Sequence, residues 1–117
     1  MMQTTTHQDG ILVLTLSATR IDAASAIHFK DDFRNATAAP AKRVIMDLAS
    51  VTFMDSSGLG AMVAALKSLD GCKLELCNLT AAVDKVFRLT RMDKVFPVHA
   101  SIKDALAQNN PKGVDAA

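Results

Sequence analysis

The stretch RVIMDLASVTFMDSSGLGAMVAALKSL, residues 43–69, decides how this chain folds. A short apolar run of Val44, Ile45, Met46 and then Leu48 predicts a strand over 43–48 buried on both faces. Met62, Val63, Leu66 and Leu69 then recur at helical spacing. Between the two lies Asp55-Ser56-Ser57-Gly58-Leu59-Gly60, a polar, glycine-punctuated turn at the mouth of a helix. Such a turn offers hydroxyls and backbone N–H groups beside the positive end of the helix dipole. It is the candidate site.

Upstream, residues 2–8 are polar and rich in threonine, which suits an edge strand. Asp9-Gly10 is a hairpin-turn signal leading into a second strand over 11–16, apolar on both faces. Asp22 stands ahead of a helix of about fifteen residues and is placed to cap it. Ala26, Phe29, Phe33 and Ala36 form the inward stripe of that helix, while Lys30, Asp31, Asp32 and Arg34 face water. Pro40 ends the segment.

Downstream, Asp70-Gly71 stops the helix that follows the candidate site, with Gly71 suited to a left-handed cap. Residues 72–77 alternate Leu74 and Leu76 with Lys73 and Glu75, predicting a strand with one wetter face. Thr80 caps a third helix whose inward stripe is Val83, Val86, Phe87 and Leu89. Residues 95–99 form a short strand, and Pro97 places it at a sheet edge. Ser101 with Asp104 resembles a capping box opening a last helix through Ile102, Ala105 and Leu106. From Asn109 onward periodicity is lost, so a domain over 1–108 with a flexible tail at 109–117 is expected.

The element order is β-β-α-β-α-β-α-β-α. Alternating strands and helices imply right-handed crossovers. The expected fold is α/β: one domain, a mixed, mostly parallel sheet, and about four helices packed mainly on one face.

Composition bounds the function. With 117 residues there is room for one core, and with half of them apolar a compact soluble chain is expected. A net charge of +1 and the lack of Trp and Tyr argue against nucleic acid as a ligand. No apolar run approaches the roughly twenty residues needed to cross a bilayer, and no signal-peptide segment opens the chain. A cytoplasmic protein with no membrane insertion is expected. Cys72 and Cys77 fit that reading: on one strand their odd separation points them to opposite faces, as two buried, unbridged thiols. His7, His28 and His99 are scattered, so neither a metal site nor a cofactor is expected.

The serines do not make an enzyme by themselves. A nucleophile elbow needs Gly-x-Ser-x-Gly, but Met54 holds the first glycine position for Ser56, and Asp55 and Leu59 hold both for Ser57. The dinucleotide fingerprint fails at Val63, and no P-loop lysine follows. A local reading is that Ser56 or Ser57 caps the helix, a contribution of about 1 kcal/mol. Gly58 and Gly60 would then permit close packing on the sheet. Yet glycine in a helix costs up to about 1 kcal/mol relative to Ala, so the backbone there is kept approachable for a reason. Ala61, Ala64 and Ala65 extend the small-residue surface.

The run Val44-Ile45-Met46-Asp47-Leu48, followed by Val51-Thr52-Phe53-Met54-Asp55-Ser56-Ser57-Gly58-Leu59-Gly60, closely resembles the signature of the STAS domain family of bacterial anti-sigma factor antagonists. Asp22 matches that family's aspartate ahead of its first helix, and residues 86–92 resemble its third helix. The resemblance implies partner switching. The unphosphorylated protein binds a GHKL-type serine kinase that is itself the anti-sigma regulator. That kinase phosphorylates the serine after the aspartate, here Ser56, and a PP2C-type phosphatase reverses it. Asp22, Asp55, Ser57, Gly58, Leu59 and Gly60 would then form the partner surface. One departure stands out: the family often has a glycine shortly before Asp22, where this chain has Ser17-Ala18-Thr19-Arg20-Ile21. Some relatives act without a phosphorylation cycle, for example in lipid-transport complexes, and that non-phosphorylated interaction subunit is the alternative. A hydrolase using Ser56 ranks behind both.

Overall fold

Asp9 and Gly10 both hold positive φ, 65° and 75°, and that turn starts the sheet. It folds β1 (Met2–His7) back along β2 (Ile11–Leu16), antiparallel, with Met2 opposite Leu16 and His7 opposite Ile11. The structure, a computed structural model, describes residues 2–108; the tail expected at 109–117 lies outside the described residues.

The chain continues through a two-residue strand β3 (Arg20–Ile21), α1 (Ala26–Ala36), β4 (Arg43–Asp47) and a second two-residue strand β5 (Phe53–Met54). Then come α2 (Ser56–Ser68), β6 (Lys73–Cys77), α3 (Ala81–Leu89), β7 (Val98–His99) and α4 (Ile102–Ala107). The main sheet has the order β1-β2-β4-β6-β7, and every pairing after the first is parallel. The threonine-rich strand and the strand after Pro97 are its two edges, as their sequences require.

Period-two alternation sorts the sheet's side chains into two layers. Leu14, Leu16, Val44, Met46, Leu74 and Leu76 meet α1, α2 and α3 through Phe29, Phe33, Met62, Ala65, Val83 and Phe87. Val13, Ile45 and Cys77 face the other way and are covered by Ala105, with Ile102 and Leu106 packed alongside. Three helices therefore pack on one face and a short fourth on the other. Thr80 and Ser101 cap α3 and α4 through their side chains, and Gly71 takes φ 72° after α2.

Five local readings are corrected by the packing. Helix α1 begins at Ala26 and runs 11 residues, because Asp22 closes a turn with Ser25 instead of capping the helix directly. Leu89 is 74% exposed; Phe96 packs on Phe87 instead, with ring centroids 5.9 Å apart. The strand over 95–99 shortens to Val98–His99, since Met92–Lys94 form a 3-10 turn. Cys72 is only half-buried, while Cys77 is fully buried, and both are free thiols.

Glu75 is the largest correction. Expected on a wetter face, it is 0% exposed because α4 lies over that face. Arg43 donates to it through Nε and Nη2 at 2.7 and 2.6 Å, and His99 Nε2 lies 2.8 Å from Oε1. Burial pushes the Glu75 carboxyl up, but the hydrogen bonds and charges of Arg43 and His99 outweigh it, leaving it below the usual range. Arg43 also donates to the carbonyls of Ala105 and Gln108, tying down the C-terminal end of α4.

Candidate functional site

Two segments that lie outside the strands and helices expected from the sequence are stitched together. Strands β3 and β5 pair in parallel, Arg20 opposite Phe53 and Ile21 opposite Met54. The Thr52 N–H donates to the Thr19 carbonyl at 2.8 Å, and the Thr52 hydroxyl reaches the same oxygen at 3.3 Å. This ribbon brings the Asp22 loop to the entrance of α2. Strands of two residues have no readable periodicity. The dipeptides Arg20-Ile21 and Phe53-Met54 carry no local signal of the pairing.

The cap of α2 is Asp55, whose extended backbone (φ −106°, ψ −171°) lets its carboxylate accept the Gly58 N–H at 2.9 Å. Ser56 and Ser57 are therefore the first two helical residues, both exposed, and neither is the cap. Among the described residues the Ser56 side chain has no hydrogen-bond partner. Leu59 is half-buried against the core, and Gly60 is exposed with nothing within 4 Å of a Cβ built on it. Ala61 and Ala65 turn into the core while Ala64 stays outside.

Gly58 was expected on the partner surface, but it is buried. A Cβ there would lie 2.0 Å from the Ile21 carbonyl oxygen and 2.8 Å from Met54 Cγ. The close approach that this glycine permits is made by the protein's own β3.

Asp22 is half-buried in the loop between β3 and α1. Its Oδ2 pairs with Arg20 Nε at 3.1 Å, and its Oδ1 accepts the Ser25 N–H at 3.1 Å. The Arg20 hydrogen bond, opposed by desolvation and aided by Ser25, holds the Asp22 carboxyl below its ordinary value. The Arg20 guanidinium also lies over the Phe53 ring, 4.1 Å from its centroid. Phe53 is 40% exposed. Neither Arg20 nor Phe53 stands out in sequence as a site residue, because only the β3–β5 pairing makes them neighbours.

This arrangement suits recognition. His99, the one buried histidine among the described residues, is bonded to Glu75 on the α4 side of the sheet. No group of three or more His, Cys, Asp or Glu among the described residues could hold a metal ion. No helix among them is long and apolar enough to cross a membrane.

Residues 2–105 match the STAS domain family. The chain belongs to that family. It is 23% identical over 105 residues to the anti-sigma F factor antagonist of Paenibacillus polymyxa, covering 87% of this chain and 89% of that protein. It is 28% identical over 101 residues to BtrV of Bordetella bronchiseptica, whose name also contains "anti-sigma factor antagonist", covering 85% and 86% of the two chains. Among solved structures it is similar to an anti-sigma factor antagonist from Mycobacterium paratuberculosis (TM-score 0.76, 26% identity, 92% and 91% coverage). The Bacillus protein SpoIIAA, solved phosphorylated, shares the fold at TM-score 0.63 and 21% identity over 92% and 97% of the chains. The mouth of α2 in this STAS domain is thus a capped, exposed helix start beside a cation-bearing ribbon.

Proposed function

We propose that this STAS domain is a partner-switching regulator of the anti-anti-sigma type, gated by phosphorylation of Ser56. In its unphosphorylated form it binds a GHKL-type serine kinase that doubles as an anti-sigma regulator, freeing whatever that regulator held. The kinase moves the γ-phosphoryl group of ATP onto Ser56 Oγ: a P–O bond forms, the β–γ anhydride bond breaks, ADP leaves, and the hydroxyl proton passes to a base of the kinase. A PP2C-type phosphatase hydrolyses the ester and restores the binding form. The names carried by its relatives support this reading.

The single observation that carries it is the division of labour between Asp55 and Ser56. Asp55 caps α2, so the Ser56 hydroxyl is exposed and not needed for the fold. A phosphoryl group can be added there without dismantling the helix. Its charge of about −1.5 to −2 is tolerated by the helix N-terminus. A regulator docking over it would have to strip water from that dianion, at a cost of several kcal/mol unless it supplied cations. A loss of ~4 kcal/mol corresponds to a roughly thousandfold weaker complex.

Intact-mass analysis of the protein isolated from its host, with and without phosphatase treatment, tests the proposal. One phosphate mapped to Ser56 is the expected result. Protein without phosphate under all growth conditions would instead favour the interaction subunit that works without a phosphorylation cycle.

A further inference from the structure

We propose that Arg20 receives the phosphate on Ser56, leaving Asp22 and Phe53 when the serine is modified. The inference rests on the phosphorylation reading above and adds to it a specific intramolecular partner.

Position comes first. The Ile21 carbonyl is pressed against the first turn of α2, 2.0 Å from where a Gly58 Cβ would stand. Arg20 is the residue before that contact, and Ser56 lies two residues before Gly58 in the same turn. In the parallel register Arg20 stands opposite Phe53, and Ser56 follows Phe53 by three residues. Adjacent strands lie roughly 4.8 Å apart, so the flexible arginine stem starts one strand away from the chain that runs into Ser56.

The present contacts of Arg20 are easily exchanged. Its ion pair with Asp22 is solvent-facing, the two side chains being 58% and 19% exposed. Exposed pairs of this kind hold weakly. The guanidinium otherwise rests on the Phe53 ring at 4.1 Å, and only its Nε is given to Asp22. The other N–H donors of the planar fork remain for a second anion. A phosphate monoester has nearly twice the charge of a carboxylate and three acceptor oxygens matched to that fork. It outcompetes Asp22 for the same cation.

Transfer of Arg20 would change the surface a regulator meets. The Phe53 ring would lose its cover and the Asp22 carboxylate its cation, so the modified face differs in shape and charge pattern as well as in the added phosphate.

The test uses the full chain with phosphoserine installed at position 56 during synthesis, as wild type, Arg20→Gln and Arg20→Lys. Phosphorus NMR follows the second ionisation of the phosphate. A guanidinium bonded to the phosphate favours its dianion, so Arg20→Gln is expected to titrate at least about half a unit higher than wild type. Arg20→Lys, which keeps the charge without the fork, is expected in between. In the wild-type chain the Arg20 Nε–H resonance should shift between the unmodified and phosphorylated forms, a readout that needs no variant. Identical titrations of wild type and Arg20→Gln, or an unmoved Arg20 resonance, would overturn the proposal. Because the phosphate is installed synthetically, these results do not depend on any kinase. Absence of phosphate on protein from the host would overturn the proposed function and leave the titration intact.

Discussion

The Ile21 carbonyl oxygen occupies the space that a side chain on Gly58 would need, 2.0 Å from the ideal Cβ position. The obstructing atom is backbone, held in place by the β3–β5 pairing, so no rotamer change relieves it. Glycine is required here by packing inside the domain.

Gly58→Ala is therefore expected to destabilise the protein. Overpacking costs typically about 1–3 kcal/mol, and the better helix propensity of Ala returns less than about 1 kcal/mol of it. Gly60→Ala, in open space, should do the opposite and stabilise by up to about 1 kcal/mol. Urea denaturation of the two variants checks both signs. An unchanged midpoint for Gly58→Ala would refute the packing role.

Asp55 and Ser56 should separate cleanly. Asp55→Ala removes the acceptor of the Gly58 N–H and is expected to cost about 1 kcal/mol of stability. Ser56→Ala should leave stability within about 0.5 kcal/mol of wild type and keep regulator binding. Ser56→Asp, which places a permanent charge on the docking face, should weaken that binding. Thermal melts and titration against the regulator measure the two effects independently, and equal affinities for the Ala and Asp forms would contradict the gating.

Glu75 makes the domain acid-sensitive. Its folded pKa lies below the ordinary 4.5. The stability it contributes is thus fully present above the unfolded value and lost as pH falls through the folded one. Denaturation midpoints should drop as pH is lowered beneath that ordinary value, and Glu75→Gln should flatten the part of the profile that this carboxylate supplies. Glu75→Ala strands Arg43 at 7% exposure and is expected to cost about 3–5 kcal/mol. Equal pH profiles for wild type and Glu75→Gln would contradict the assignment.

The two thiols should react on different timescales. Cys77 is 0% exposed, and burial, with the Asp47 charge, pushes it up to about 12. Cys72 is half-buried just ahead of β6, and burial raises it too, but its thiol is within reach of solvent. A thiolate-selective reagent near neutral pH should label Cys72 first and Cys77 only when the domain unfolds. Mass mapping of the labelled sites reads the order, and early labelling of Cys77 would count against its burial.

What the sequence determined by itself was everything written in local signals. The positive φ of Asp9-Gly10, the caps at Thr80 and Ser101, the stripe of Phe29 and Phe33, and the alternation of Leu74 with its neighbours all act within a few residues. They set the elements, their order and the parallel sheet. Apolar periodicity shows which faces can be buried but not which will be covered. Glu75 read as wet because its cover, α4, and the His99 strand beside it both arrive about twenty-five to thirty residues later in the chain. Leu89 read as inward because its spacing fits the helix, yet Phe96 takes the place against Phe87. The candidate site divides the same way. The string Asp55-Ser56-Ser57 announced a helix entrance, but which residue caps it depended on backbone geometry. The pairing of Arg20 with Phe53, and of Ile21 with Gly58, joins segments more than thirty residues apart through strands too short to have a period. Contacts of that kind are decided only when the chain closes, because their energy comes from long-range packing and backbone hydrogen bonds that no local pattern encodes.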